Sequence, residues 1–172
     1  MPQRDHTEHR TTIAFRAVNA CGSAGYDPAL QRHHLLPRQL LSERCFGRMF
    51  AALGRAEVGF DDFRRNGLLL PAREDASLRT GMPLHRGPHH RYTEMVIARV
   101  GTIEARWAEA RKHDEAAALE EALLRLHLLQ GALRRQLLAA RRRIVLSRKD
   151  PLGSGFDFNE LDAMAELLWG AD

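Results

Sequence analysis

The stretch that decides the fold is His85-Arg86-Gly87-Pro88-His89-His90-Arg91-Tyr92, in which two histidines lie four residues apart across a Gly-Pro pair. Proline is tolerated in the first turn of a helix, so Pro88 predicts the start of a helix that continues through Val96 and Val100. This start places His85 before the helix and His89 in its first turn. Two imidazoles at these positions can converge on one divalent ion.

Two short apolar stretches precede this helix: Arg32-His33-His34-Leu35-Leu36-Pro37 and Asn66-Gly67-Leu68-Leu69-Leu70-Pro71. Each predicts a strand that a proline stops. Neighbouring side chains on a strand point to opposite faces, so His33 and His34 cannot do the same work. One of the pair is expected to bind a metal while the other meets substrate. The local plan is strand, strand, helix.

The rest of the chain is predicted to be mostly helical. Apolar spacing indicates a helix over residues 38–55, a turn follows at 59–63, and residues 72–87 lack periodicity and are predicted to be a loop. The Ala- and Leu-rich residues 105–148 predict one long helix or a hairpin of two, with Gly131 either breaking or weakening it. Asn159 is expected to cap a final short helix through Trp169.

Composition limits the classes of protein to which the chain can belong. Its 172 residues, 44% hydrophobic, suffice for one sizeable core. A formal charge of +4 suits a polyanionic partner without proving one. Cys21 and Cys45 are too few for a disulfide framework or a cysteine zinc cluster. Met1–Arg10 does not look like a signal peptide and no stretch could span a membrane, so we expect a chain made in the cytoplasm and exported, if at all, by a specialised secretion system.

The chemistry is concentrated in five of the nine histidines, which lie at positions 33, 34, 85, 89 and 90. Cleavage of a phosphodiester needs a base, a metal and groups that orient both, and neutral imidazole supplies the first two. Asn66 is a candidate for the hydrogen bond that orients an imidazole. The positive end of the predicted helix, with Arg86 and Arg91, favours a phosphate at the same place.

These three segments resemble the motifs of the AHH family of nucleases, a branch of the His-Asn-His and endonuclease VII superfamily that contains many predicted bacterial polymorphic toxin domains. The resemblance covers about residues 31–100 and implies a ββα-metal finger. It also implies an endonuclease that depends on one divalent ion, which would be Mg²⁺, Mn²⁺, Ni²⁺ or Zn²⁺. The expected substrate is DNA rather than RNA. A toxin would have a neutralising immunity protein, expected to be acidic.

The resemblance also implies roles for single residues. His33, His85 and His89 would be metal ligands, His34 the general base and Asn66 the residue that positions it. Arg86, Arg91 and Tyr92 would contact substrate, with bracing of the finger as the other role open to Tyr92. The sequence departs from the family pattern at Arg32, where a small residue is expected, and in the additional histidine His90.

The predicted fold class is therefore α+β and mostly helical: a small ββα-metal finger with flanking helices and a long C-terminal helix or hairpin. Residues 1–25 are expected to be a flexible lead-in, 26–104 the nuclease core, and 105–172 a helical extension packed on that core.

Several polar residues also have a simpler structural interpretation. Asp61, Asp62 and Glu94 are expected to cap or face solvent rather than bind metal. His113 and His127 are expected to be structural, and the arginines at 134, 135 and 141–143 to form either a phosphate-binding track or an ordinary solvated face. Two alternatives to the nuclease are a metal-stabilised nucleic-acid-binding module without catalysis and a helical interaction protein.

Overall fold

The computed structural model describes residues 11–140 and 144–153. These described residues form two strands, six α-helices and three short 3₁₀ turns. The strands are β1 (Leu30–His34) and β2 (Gly67–Pro71), and the helices are α1 (Gly47–Leu53), α2 (Arg55–Val58), α3 (Phe63–Asn66), α4 (Glu74–Thr80), α5 (His90–Ala110) and α6 (Glu115–Leu138). The 3₁₀ turns are Phe15–Ala17, Arg38–Leu41 and Arg44–Phe46. The predicted α+β, mostly helical class is confirmed.

The two strands and α5 form the strand–strand–helix unit that the sequence predicts. β1 and β2 pair antiparallel, with Leu30 opposite Pro71 and His34 opposite Gly67. The backbone N–H of His85 donates to the carbonyl of Pro71 at 2.6 Å, which ties the segment before α5 to the end of β2. The helix begins at His90, and His89 is its N-cap residue. The prediction placed His89 inside the first turn, so the helix begins later than predicted.

Two predictions about the connecting segments are wrong. Residues 38–55 are not one helix, because they divide into two 3₁₀ turns and α1, which ends at Gly54 with φ +80°. Residues 72–87 are not all loop, because α4 lies within them. This helix has Glu74 and Asp75 in its first turn and Gly81 in the left-handed region at its end, which are favourable charges and a favourable cap.

The C-terminal part forms a helical hairpin, the second of the two predicted possibilities. The break lies between Ala110 and Glu115, where the carboxylate of Asp114 accepts the N–H of Ala117 and caps α6. Gly131 lies inside α6 and does not break it. The predicted domain boundary at 104/105 falls inside α5.

One hydrophobic core joins the finger to the hairpin. It is lined by buried residues of the 35–60 connection, of α5 and of α6, and it includes Ile144 and Leu146 from the chain beyond the hairpin. The largest fully buried members are Tyr92, Phe60, Leu35, Leu36, Leu40, Met49, Leu70, Ile103, Leu126, Leu133 and Leu137. The hairpin therefore packs on the unit that carries the histidines.

The described part of the predicted lead-in is hydrogen-bonded to this core. Ile13 donates to the Asp62 carboxylate at 3.1 Å and accepts from Phe63 N at 2.7 Å. The Asn19 amide donates to the carbonyls of Asp27 and Leu30, both at 2.9 Å. These contacts lie beside the start of β1 and α3, so the segment is attached at the edge of the finger.

Some sequence predictions fall outside the described residues, namely those for positions 1–10, for Arg141–Arg143 and for the helix capped by Asn159. Cys21 and Cys45 are both free and exposed. Within 11–140 and 144–153, no helix combines the length and the apolar character needed to cross a membrane.

Candidate active site

Three histidines from two separate parts of the finger converge on one point. His33 lies on β1, His85 lies between α4 and α5, and His89 occupies the N-cap position of α5. One ring nitrogen from each lies within 4.8 Å of the others. The ring centroids are 4.8 Å apart for His33 and His85, and 4.5 Å apart for His85 and His89.

These imidazoles have buried nitrogens with nothing to bind. His33 Nε2, His85 Nδ1 and His89 Nδ1 are shielded from solvent and have no hydrogen-bond partner among the residues that the structure describes. An unsatisfied buried polar atom costs about 1–3 kcal/mol, and three at one point call for an explanation. A divalent cation bound by the three nitrogens satisfies them together, so the residues present fit a metal ion.

The environment keeps these imidazoles neutral, which is the form that binds metal. Burial lowers the pKa of His33 well below its usual value, and His85 and His89 nearby add to the effect. Burial, with a smaller contribution from His89, lowers the pKa of His85 to about 4. Burial and the neighbouring His90 lower the pKa of His89. At neutral pH the three imidazoles are therefore unprotonated and can bind a metal cation.

We expect this depression to make the metal-free protein less stable in acid. An unfolded imidazole takes up a proton as the pH falls through about 6.5, whereas folded His85 resists until about pH 4, so stability present at neutral pH is lost across that window. After allowance for screening of the partly exposed ring, the free energy of unfolding should fall by roughly 2 kcal/mol on account of His85. Urea denaturation in chelator from pH 7 to pH 4.5 measures it.

The matched variants are His85→Leu, which removes this share of the pH dependence, and His113→Leu, which replaces an exposed histidine. His113→Leu should reproduce the wild-type slope. A wild-type slope in His85→Leu would mean that the ring titrates normally when folded.

The ligand group is incomplete for a structural site. It comprises three histidines, and within the described ranges no cysteine or carboxylate joins it. Structural zinc sites are closed by four protein ligands, whereas catalytic sites leave a position for water or substrate. A cation here would keep open positions, which is the arrangement that hydrolysis needs.

His34 lies outside the metal group, on the other face of β1 from His33, and is half-buried. Its ring stacks on Phe15 with centroids 3.8 Å apart and planes within 2° of parallel. Burial lowers the pKa of His34; Arg38 and Arg32 act in the same direction and Asp61 opposes them. The ring therefore lies parallel to that of Phe15, and it is in its neutral form, which can accept a proton.

Phe15 is a residue that sequence reasoning missed. The carbonyl of Phe15 accepts from Arg32 Nη1 at 2.8 Å, and its ring also meets the edge of Phe63 at 5.1 Å. Arg32, the departure from the family pattern, thus helps to hold the segment that covers His34. No local pattern in the sequence indicates this contact, because its partners come from three separate segments.

Asn66 does not make the predicted hydrogen bond to an imidazole. Its side chain is fully buried and makes two hydrogen bonds with the backbone of Leu36. Oδ1 accepts from the Leu36 N–H at 2.7 Å, and Nδ2 donates to the Leu36 carbonyl at 3.1 Å. It also donates to Phe60 O at 3.3 Å and accepts from Gln130 Nε2 at 3.3 Å. Asn66 fastens the chain directly after His33 and His34, so any effect on the base passes through the backbone.

Asn66→Ala is expected to lower the free energy of unfolding by roughly 3 kcal/mol, because it leaves buried polar groups of Leu36 and Phe60 without partners. Chemical denaturation measures this loss, with Gln39→Ala as the control for an exposed amide. A variant of unchanged stability that is nevertheless inactive would instead indicate direct contact with the reacting groups.

The contacts of Tyr92 fit bracing of the finger, the other of its two predicted roles, better than recognition of substrate through its hydroxyl. It is 1% exposed, and its hydroxyl donates to Leu35 O at 2.6 Å. Burial raises the pKa of this hydroxyl. Its ring lies 5.0 Å from that of His33, so Tyr92 braces the strand that carries the ligand.

The remaining cationic candidates lie at the surface beside the cluster. Arg86, His90 and Arg91 are exposed, and they line a groove next to His89. Of the two adjacent histidines, His89 therefore joins the metal group and His90 faces the groove.

The other polar residues singled out from the sequence have structural contacts. Asp62 caps α3, Asp61 pairs with Arg55 at 3.4 Å, and Arg134 donates to Arg64 O at 2.7 Å. The His127 ring lies 3.0 Å from the carbonyl of Glu57. Exposed Glu94 is not part of the metal group.

Comparison with known proteins gives one finding. A protein-family model described as AHH, a nuclease family of the HNH/ENDO VII superfamily with conserved AHH, matches residues 15–131. Neither the curated proteins nor the solved structures compared with the chain gave a match. The matched residues run from Phe15 through both strands and α5 into α6 and so contain all four histidines of the site.

Proposed function

We propose that this chain, which belongs to the AHH nuclease family of the HNH/ENDO VII superfamily, is an endonuclease. It depends on one divalent metal ion and hydrolyses the backbone of DNA in preference to that of RNA. The family is that expected from the three motifs. The observation that carries the proposal is that each histidine of the metal group has a buried ring nitrogen with no hydrogen-bond partner among the described residues.

His33, His85 and His89 would hold the ion, each through one ring nitrogen. A divalent ion at this point supplies positive charge to the scissile phosphate and to the oxygen that leaves it. Tyr92 contributes by bracing His33, and the Pro71 carbonyl by fixing the backbone at His85.

His34 would act as the general base. Its neutral ring takes a proton from the attacking water as the water oxygen bonds to phosphorus and the phosphorus–oxygen ester bond breaks. The departing oxygen then takes a proton from solvent water, which leaves a phosphate monoester and an alcohol. Stacking on Phe15 limits rotation of the ring, and this orientation does not require a hydrogen bond to Asn66.

Exposed cations beside the cluster would bind the substrate. Arg86 and Arg91 flank His89 and His90 at the N-terminus of the 21-residue α5, where the helix dipole also favours an anion. Phosphates on either side of the scissile bond can reach these groups while the bond itself faces the histidines.

A non-catalytic metal-stabilised module is supported less well. A structural metal would need a fourth protein ligand, and none joins the three histidines in the described part of the chain. Half-buried His34, next to the buried ligand His33 but outside the metal group, would have no role in a purely structural site, whereas a nuclease needs a proton acceptor.

The proposal is tested by incubating purified protein with supercoiled plasmid, linear DNA and total RNA, in Mg²⁺, Mn²⁺, Ni²⁺, Zn²⁺ or chelator. Metal-dependent cutting supports it, and the polymer that is cut identifies the substrate. Specific binding of nucleic acid without cutting in any metal would favour the non-catalytic module instead. Use as a toxin, delivery into other cells and an acidic immunity partner stay predictions of the family resemblance.

A further inference from the structure

We propose that residues 144–153 form the far wall of the substrate groove, and that Arg148 and Lys149 bind the sugar-phosphate backbone of the strand leading away from the scissile phosphate. The inference rests on the proposed nuclease function and adds a binding site to it. Neither residue lies within the matched residues 15–131.

The groove adjoins the metal group. It encloses about 620 Å³, and His89 and Tyr92 line it together with the segment from Arg86 to Arg91 on one side. The other side is formed by residues 145–149 and Gly153. A strand whose phosphate reaches His89 must therefore continue past both walls.

The two walls carry the same sign of charge. Arg86 and Arg91 face the groove from one side, and Arg148 and Lys149 from the other. The lining contains no aspartate or glutamate within 11–140 and 144–153. Positive charge on both sides of a cleft favours a polyanion that runs along it.

The far wall is held in place by a buried carboxylate. Asp150 is 9% exposed, and its side chain accepts the N–H of Leu84 at 3.1 Å and that of Leu152 at 3.0 Å. Because Leu84 directly precedes His85, this bond joins the far wall to the segment before α5 that carries this metal ligand. Buried Ile144 and Leu146 anchor the same segment in the core.

A tight turn presents the two cations. Asp150 N donates to Ser147 O at 3.1 Å, which makes Arg148 and Lys149 the central residues of a four-residue turn. Both are exposed, and neither pairs with a carboxylate in the described part of the chain. As far as the described residues go, both charges therefore face the groove without an acidic partner.

The decisive variant is Arg148→Ala with Lys149→Ala. Binding is measured in chelator by fluorescence anisotropy with a labelled single-stranded DNA, a duplex DNA and an RNA of the same sequence. Loss of two phosphate contacts should weaken binding roughly tenfold at physiological salt and lower the slope of log affinity against log salt by about 1.4–1.8.

The chain offers a matched control in Arg111→Ala with Lys112→Ala. This pair follows the other end of α5, about 30 Å from the groove at 1.5 Å per helical residue, and should leave binding unchanged. Exchanging the two residue types, Arg148→Lys with Lys149→Arg, keeps the charge and should keep most of the affinity.

Hydrolysis of bis(p-nitrophenyl) phosphate separates this inference from the proposed function. This diester carries one phosphate and no flanking phosphates, so the double alanine variant should lose much less activity on it than on polymer, for which its KM should rise. Equal affinity of variant and wild type for all three oligonucleotides would overturn the inference even if both cut. If the wild type cuts nothing in any metal but the double alanine variant binds the oligonucleotides more weakly, the nuclease proposal is overturned and the inference about the groove is kept.

Discussion

His34→Ala is expected to reduce nucleic-acid cutting by roughly 10²–10⁴-fold, the range that a positioned general base contributes. The imidazole lies outside the metal group and stacks on Phe15, so its removal takes away a proton acceptor without taking away a ligand. Metal affinity and the circular dichroism spectrum should both stay at wild-type values. Single-turnover cleavage with saturating enzyme measures the chemical step.

The control for this variant is His113→Ala, which replaces an exposed histidine in the turn before α6. It should cut at the wild-type rate. If His34→Ala lost metal binding along with activity, His34 would be a ligand and the division of labour between the two strand histidines would be wrong. If it cut at the wild-type rate, another group would have to be the base.

Removal of a metal ligand should have the second large effect. His85→Ala and His89→Ala each leave two imidazoles at the site. We expect metal affinity to fall by at least roughly 100-fold, because loss of a residue that only hydrogen-bonds to a ligand already lowers affinity by about 10–100-fold. These two positions are better suited than His33, which is 3% exposed and packs within the finger. Titration calorimetry with Ni²⁺ or Zn²⁺ measures the affinity.

Metal binding should also be visible as stability. Ion at 100 times its dissociation constant stabilises the wild type by about 2.7 kcal/mol, and the same concentration should give the ligand variants less than about 0.5 kcal/mol. His90→Ala is the matched control, because it removes the neighbour of His89 that faces the groove. Wild-type metal affinity in His89→Ala together with a loss in His90→Ala would exchange their roles.

The predicted strand–strand–helix order and the convergence of His85 and His89 followed from local features of the sequence, whereas the choice of His33 over His34 as a ligand came from the family resemblance. Pro88 before a helical pattern and two short apolar stretches predict elements from neighbours within a few positions. The alternation of side chains on a strand predicts that His33 and His34 face different ways. Such rules depend on the covalent geometry of the backbone, so they hold before the chain folds.

Local rules were less successful where tertiary contacts compete with them. The apolar spacing over 38–55 is real, but its residues pack into the core as 3₁₀ turns and a short helix rather than as one helix. The aperiodic stretch 72–87 contains α4, whose buried side chains are small, so its pattern is weak. A helix held mainly by its caps and its neighbours leaves little trace in hydrophobic periodicity.

The sequence by itself determined which residues are candidates for the chemistry, because imidazole is the side chain that both binds metal and accepts protons near neutral pH. Only the tertiary structure decided what supports them. Asn66 bonds to Leu36, 30 positions away, Tyr92 to Leu35, 57 away, and Asp150 to Leu84, 66 away. These partners meet because burial brings distant segments together and a buried polar group must find a bond wherever the packed chain offers one.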